Sequence, residues 1–334
     1  MRIGLLTTSF PRHPGDYAGS FVGDRVEGLL AAGHAVDVLA AGDRADTRVD
    51  GGLTVTRLPA DRRLFYGEGA PEALERGGAL WLAAAEFSTA LAVAARARAH
   101  RWDLLESHWL VPSALAASAA AAGSERRAYA HSGDVALLER IPFGRSVARR
   151  LACDGTDLRF VSPDLQARFT RLAGTSTAAG TVEALEVPRA LFALRRGPDL
   201  ELRRRLGLTV PTVLAVGRLV PIKGHATLLH ACARARSPGA RWREVVILGD
   251  GPERSRLIQL AATLEVPLRL TGAVPRASVA DWMRAADLFV HPSLRLANGR
   301  SEGAPIAARE AHAIGIPVVA TSDMSALAEA IGAL

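Results

Sequence analysis

Short apolar runs of strand length alternate with helix-length segments along nearly the whole chain, and that alternation limits the fold more than any other feature of the sequence. Strands joined by helical crossovers pair in parallel, and parallel sheets are covered by helices on both faces. Residues 2–8 read as a first buried strand. A loop containing Pro and Gly follows over 9–19, and a helix runs to about Ala32 with Gly33 as its C′ residue. Further strands are expected at 35–40, 53–58, 103–107, 127–130 and 158–162. Helices are expected over about 79–100 and after Pro112. Residues 61–78 show no period and read as a long loop, which in a compact domain is usually functional.

From 175 to about 200 the pattern breaks up around Pro188, Gly197 and Pro198. This sets a linker over 176–200 between a first domain, 1–175, and a second, 201–334. The second half repeats strand and helix through 212–216, 245–248, 268–271, 288–291 and 318–321. The expectation is an α/β protein of two Rossmann-like, doubly wound domains, with ligand held in a central cleft.

Half of the 334 residues are apolar, so global disorder is excluded. The excess of 41 basic over 34 acidic residues suits an anionic partner, although arginines scattered along the chain would give the same balance. Two cysteines, Cys153 and Cys232, without CxxC spacing argue against a disulfide framework or a cysteine zinc site and for a reducing compartment. The N-terminal run, broken by Thr7, Thr8 and Ser9, reads as a strand rather than a signal peptide. No segment is read as spanning a bilayer, and a soluble, cytoplasmic protein is expected. Nucleic acid is not expected as a partner, because no binding module is recognisable and aromatics are 5% of the chain.

The most informative segment is 301–310, Ser-Glu-Gly-Ala-Pro-Ile-Ala-Ala-Arg-Glu. Pro305 favours a helix start, and a helix N-terminus offers free N–H groups to an anion. Glu302 and Glu310 are eight residues apart, about 12 Å along a helix axis at 1.5 Å per residue. An extended sugar nucleotide could lie across them, with hexose, diphosphate and ribose in turn. Upstream, Arg218 and Lys223 sit five residues apart on a strand-to-helix turn, spacing that suits a diphosphate. Gly249-Asp250-Gly251-Pro252 gives a second tight turn after the next strand.

These motifs, together with Ala285-Ala286-Asp287-Leu288-Phe289-Val290-His291-Pro292-Ser293 and Gly315-Ile316-Pro317-Val318-Val319-Ala320-Thr321, resemble the donor-binding domain of glycosyltransferase family 4, retaining enzymes of the GT-B fold. The first half resembles the family less tightly, through 14–22, Ser107-His108-Trp109-Leu110-Val111-Pro112 and His131-Ser132-Gly133-Asp134-Val135. The resemblance implies catalytic roles for His131, Arg218, Lys223 and Glu302. Arg218 and Lys223 would neutralise the diphosphate, Glu302 would bind hexose hydroxyls, and His131 would lie beside the donor sugar. Donor binding would also involve Gly19, Gly249, Gly251, the backbone around Gly303, Ala304 and Pro305, and Glu310 at the ribose.

The resemblance further implies transfer of a hexose from a nucleotide-diphosphate sugar to a glycan, lipid-linked or small-molecule acceptor. The acceptor side would involve His108, Arg62, Arg63 and Tyr66, and His108 reads equally well as a structural histidine. No Asp-x-Asp pair occurs, so no metal and no cofactor are expected, and the two cations would stabilise the leaving diphosphate. Basic and apolar residues mix at 62–66 and 140–150, which suits either peripheral contact with an anionic membrane or simply a solvated surface. The family normally continues past 318–321 with a glycine-pair turn and crossing helices. Here the sequence reaches only Leu334, so a shortened C-terminal end is expected. A sugar-nucleotide 2-epimerase of the same fold and a catalytically impaired, nucleotide-sugar-binding homologue are the alternatives.

Overall fold

In the computed structural model Ile3, Leu5 and Leu6 are at most 2% exposed, so the strand that carries them, β1 (Arg2–Leu6), is covered on both faces. The structure describes residues 1–13, 15–66, 73–74, 77–120, 125–194, 199–208, 211–236, 242–297, 302 and 305–334. These form two compact units, Met1–Glu186 and Val187–Leu334.

In the first unit β1 is joined by β2 (Ala35–Gly42), β3 (Asp46–Asp50), β4 (Leu53–Pro59), β5 (Leu104–His108), β6 (Glu125–Ala130), β7 (Asp157–Phe160) and β8 (Thr181–Val182). The sheet order is β3-β4-β2-β1-β5-β6-β7-β8. All pairings are parallel except β3 with β4. Alternate side chains enter opposite layers, as the pleat requires. Ile3, Leu5, Val36 and Val38 pack with Val22 and Val26 of helix Ser20–Ala31, while Leu6, Leu39 and Leu105 pack with Phe87 and Leu91 of helix Gly78–Arg98.

The second unit repeats the plan with β9 (Thr212–Val216), β10 (Glu244–Leu248), β11 (Leu268–Gly272), β12 (Leu288–His291) and β13 (Val318–Ala320). Its order, β11-β10-β9-β12-β13, is parallel throughout. Val213, Val245 and Val290 face one helical layer, and Leu214, Val246 and Phe289 face the other. The chain builds outward from β9 to one side and then restarts on the other with β12. A switch point therefore lies between the carboxyl ends of β9 and β12, and the equivalent one in the first unit lies between β1 and β5.

Three expectations need correction. The first sheet is not purely parallel: β3 is an antiparallel edge strand with no fully buried residue, so it carries no apolar period to read. β8 lies inside the segment read as linker. The described part of 61–78 is not all loop: Asp61 caps a short helix, Arg62–Phe65, and Leu64, Ala73 and Leu74 are buried against Leu80, while 67–72 and 75–76 lie outside the described residues. Among the described residues one helical stretch, Gly78–Arg101, is long and apolar enough to cross a bilayer, although Leu80, Phe87, Leu91 and Ala95 bury one side of it in the first unit.

Phe289 is fully buried in the central region of the second sheet. Phe289→Ala should destabilise that unit by about 3–5 kcal/mol through lost transfer energy and the cavity left behind. Urea unfolding resolved for the second unit checks this, and a loss below about 1 kcal/mol would contradict the packing described.

Candidate functional site

In the second unit three loops leave the carboxyl ends of β9, β10 and β12 and are stitched together by backbone hydrogen bonds. The Leu219 amide donates to Asp250 O at 2.9 Å, the Glu253 amide to Leu219 O at 3.0 Å, and the Leu294 amide to Ile222 O at 2.8 Å. Gly249 has φ 145°, and a Cβ there would meet Gly217 O at 2.0 Å, so the close approach of the first two loops requires glycine. Gly251 lies in the same turn, its amide bonded to Asp250 Oδ1 at 2.8 Å. The backbone carbonyl of Arg218 faces Nε2 of His225 at 3.2 Å. Burial, reinforced by the charge of Lys223, pushes the His225 imidazole down to about 4, so at neutral pH Nε2–H donates to that carbonyl.

On this platform Lys223 forms an ion pair with Glu302, and both side chains are mostly withdrawn from solvent. Nε2 of His291, the last residue of β12, lies 2.7 Å from Oε2 of Glu302 and 2.9 Å from Ser293 Oγ, and Ser293 donates to the same carboxylate. Burial works against the Glu302 carboxylate, but the His291 hydrogen bond and the Lys223 charge outweigh it and hold the carboxyl far below its ordinary range. A carboxylate with this much support is a fixed acceptor for hydroxyl groups, and the cation beside it is a fixed partner for an anion.

Helix Ile306–Ile314 begins after Pro305, so Glu302 precedes it, and the 12 Å axial spacing read from the sequence does not apply to the pair. Glu310, on the helix, is 5% exposed and pairs with Arg276, whose Nε lies 3.1 Å from Oε1. Burial pushes the Glu310 carboxyl up, against the pull of Arg276. Gly303 and Ala304 lie outside the described residues.

In the first unit Gly19 starts helix Ser20–Ala31 at φ 69°, and a Cβ there would meet Ser9 O at 2.3 Å. His108 ends β5 and His131 follows β6, with His108 Nδ1 3.1 Å from His131 Nε2. Asp134 accepts the amides of Leu110, His131, Ser132 and Val135, which pins the loop that carries His131. Ser132 at φ 111° and Trp109 at φ 71° follow the two histidines directly. Backbone strain of this sort persists only where surrounding contacts impose it.

The residues expected on the acceptor side are not all brought together. Arg62 pairs with Asp43 at 3.3 Å and Arg63 with Asp61 at 2.6 Å, both at the surface. The Tyr66 hydroxyl is engaged, donating to Ala41 O at 2.7 Å and accepting from Arg57 at 3.1 Å. Sequence reasoning missed His291, Ser293 and Arg276 as partners of the two glutamates. The first two lay inside a motif already singled out. Arg276 had no sequence signal, being one of many arginines and 34 positions from Glu310.

Residues 210–333 match the family model of glycosyl transferases group 1. The second unit is a group 1 glycosyltransferase domain. Over 226 residues the chain is 33% identical to TuaC of Bacillus subtilis, named for teichuronic acid biosynthesis, covering 66% of this chain and 53% of TuaC. Over 232 residues it is 35% identical to the GDP-mannose-dependent alpha-(1-6)-phosphatidylinositol monomannoside mannosyltransferase of Mycobacterium tuberculosis, covering 65% of this chain and 58% of that protein. The chain therefore matches little more than half the length of these curated relatives. Among solved structures, sucrose-phosphate synthase from Thermosynechococcus elongatus aligns with TM-score 0.71 at 21% identity, over 96% of this chain and 80% of that one. Anabaena Alr3699/HepE in complex with UDP and glucose aligns with TM-score 0.69 at 19% identity, over 100% and 89% of the two chains. The fold is that of the GT-B glycosyltransferases, with two Rossmann-like units.

Glu106, fully buried in the middle of β5, accepts two hydrogen bonds from Arg25 at 2.9 and 2.8 Å. Burial opposes its charge, but Arg25 and His108 bring the carboxyl down to about 2, from an ordinary 4.5. A carboxyl lowered in the folded state stabilises above its unfolded value and loses that contribution as pH falls toward the folded one. The first unit should therefore lose on the order of 3 kcal/mol between about pH 5 and pH 2 through this group alone. Urea unfolding of the first unit across that range checks it. Glu106→Gln should flatten the pH dependence, and an equally steep curve would rule out this source.

Proposed function

We propose that the chain is a retaining glycosyltransferase that moves a hexose from a nucleotide-diphosphate sugar to a glycan, lipid-linked or small-molecule acceptor. The observation that carries this reading is the cluster of Lys223, Glu302, His291 and Ser293 at the switch point of a group 1 glycosyltransferase domain. Lys223 and Arg218 neutralise the diphosphate, and Glu302 accepts hydrogen bonds from hexose hydroxyls. Glu310, held by Arg276, accepts the ribose hydroxyls. Gly19 lets backbone approach the phosphates, and His131 meets the transferred sugar. Arg62 and Arg63 are the candidates for the acceptor side.

In the transfer step the sugar C1–O bond to the diphosphate breaks while the acceptor oxygen bonds to C1 on the same face. The acceptor proton passes to the departing phosphate oxygen. Charge grows on the diphosphate as the bond breaks, so a fixed cation lowers the barrier more than it tightens ground-state binding. Lys223 and Arg218 thereby do the work that a divalent ion would otherwise do. A cytoplasmic location belongs to the same proposal and rests on two unpaired cysteines, Cys153 and Cys232.

The names of two similar proteins support the donor class. The mycobacterial relative is named for GDP-mannose, and the Anabaena structure is titled as a complex with UDP and glucose. A panel of nucleotide sugars screened by thermal stabilisation identifies the donor, because ligand that binds only the folded protein raises its apparent stability. With that donor and an acceptor panel, Lys223→Ala should lower kcat by roughly a hundredfold, and a chelator should leave turnover intact. Activity lost to chelator and restored by manganese would overturn the cation mechanism. Consumption of the nucleotide sugar without any acceptor would instead favour the 2-epimerase.

A further inference from the structure

Beyond the donor cluster, the first unit holds a chain of four polar side chains, the middle two fully buried, that ends on His131. The guanidinium of Arg25 grips Glu106 through Nε and Nη2. Oε1 of Glu106 lies 3.4 Å from Nε2 of His108, an electrostatic contact in which Nε2 makes no aligned hydrogen bond, and Nδ1 of His108 lies 3.1 Å from Nε2 of His131. Glu106 and His108 are at most 1% exposed, whereas His131 is half-buried as a residue. The two imidazole planes lie within 11° of each other, and their centroids, 5.2 Å apart, are separated by nearly the N···N distance plus two ring radii. The rings therefore meet edge to edge, the geometry of an in-plane N–H···N hydrogen bond. Tyr129 lies 5.0 Å from His108 with its plane within 10°, and Phe21 packs 4.8 Å from His131, so neither imidazole can turn freely.

An in-plane bond between two imidazoles needs one donor and one acceptor, and the far end of the chain decides which is which. Glu106 is a carboxylate and can only accept. A lone pair on Nε2 of His108 would face that negative charge at 3.4 Å, whereas an N–H there is attracted to it, so Nε2 carries the proton. The Nδ1 of a neutral His108 is then an acceptor, and Nε2 of His131 must donate to it. With both imidazoles neutral, the four side chains carry no net charge, the state that burial favours.

We propose that Arg25, Glu106 and His108 are positioning residues that hold His131 in its Nε2–H tautomer, so that its Nδ1 offers a lone pair to a hydroxyl of the transferred sugar. Fixing a ring by an outer carboxylate is a general device for setting which imidazole nitrogen is available. This rests on the reading of His131 given above, and two independent readouts separate the failure of one from the failure of the other.

The first readout is nitrogen-15 NMR of histidine-labelled full-length protein near neutral pH, with His131 assigned by comparison with His131→Gln. Nδ1 of His131 should appear unprotonated in the wild type. His108→Asn, whose carboxamide oxygen can stand in for Nδ1 as acceptor, should retain that signature. His108→Leu and Glu106→Gln should convert it to a mixture of tautomers. A wild-type His131 protonated on Nδ1, or a signature unmoved by His108→Leu, would overturn the proposal.

The second readout is transfer kinetics with the donor found by the screen. His108→Leu should lower kcat roughly tenfold with KM for the donor little changed, and His108→Asn should recover most of the loss. Loss of folding in His108→Leu would show in its proton spectrum, and the comparison then runs between His108→Asn and Glu106→Gln. Tautomers that shift as expected while all variants keep wild-type kcat would establish the array and refute the role of His131 at the sugar.

Discussion

Glu302 is a carboxylate taken largely out of water, and a group of that kind stays ionised only where donors and cations meet it. Here the support comes from three directions. Lys223 follows β9, while His291 ends β12 and Ser293 lies just beyond it. Neither strand could supply the site alone. The loop stitching that draws the ends of β9, β10 and β12 together is therefore as necessary to the carboxylate as its immediate partners. Once formed, the cluster leaves an anion-seeking cation and a hydroxyl-seeking carboxylate side by side, the two affinities a sugar diphosphate combines.

Both units put their polar chemistry at the same place in their topology. Parallel strands send all outgoing loops to one edge of a sheet, and where the order reverses, neighbouring loops part and leave space. In the second unit that point lies beside Lys223 and His291. In the first it lies beside the loop after β1, which leads to Gly19, and beside His108 at the end of β5. The carboxylates Glu106, fully buried, and Glu302, mostly withdrawn from solvent, each sit against a cation and a histidine. The hydrophobic layers that flank each sheet exclude the water that would otherwise weaken these pairs.

The strands of the second unit were legible because a parallel strand buried on both faces is a nearly unbroken apolar run, and Thr212–Val216 and Leu288–His291 end where the sequence places them. β3 was not legible, because a solvated edge strand has no burial to record in its sequence. The Asp61 cap and the buried Leu64 were hidden in a segment too short and irregular to show a period. Lys223 and Glu302 stood out through motif spacing, but their pairing did not, since 79 residues separate them and only the fold brings them together. The same holds for Arg25 with Glu106 and for Arg276 with Glu310. Sequence pattern records which faces are buried; it does not record which arginine reaches which carboxylate.

The central claim is that Glu302 recognises the sugar while Lys223 recognises the diphosphate. Calorimetric titration of wild type and Glu302→Gln with the preferred nucleotide sugar and with its bare nucleoside diphosphate tests this most directly. The account predicts that Glu302→Gln weakens the nucleotide sugar roughly tenfold or more, the scale of a lost charged hydrogen bond. Affinity for the bare diphosphate should be unchanged or improved, because Lys223 is freed from its partner. Equal weakening of both ligands, or of neither, would contradict it.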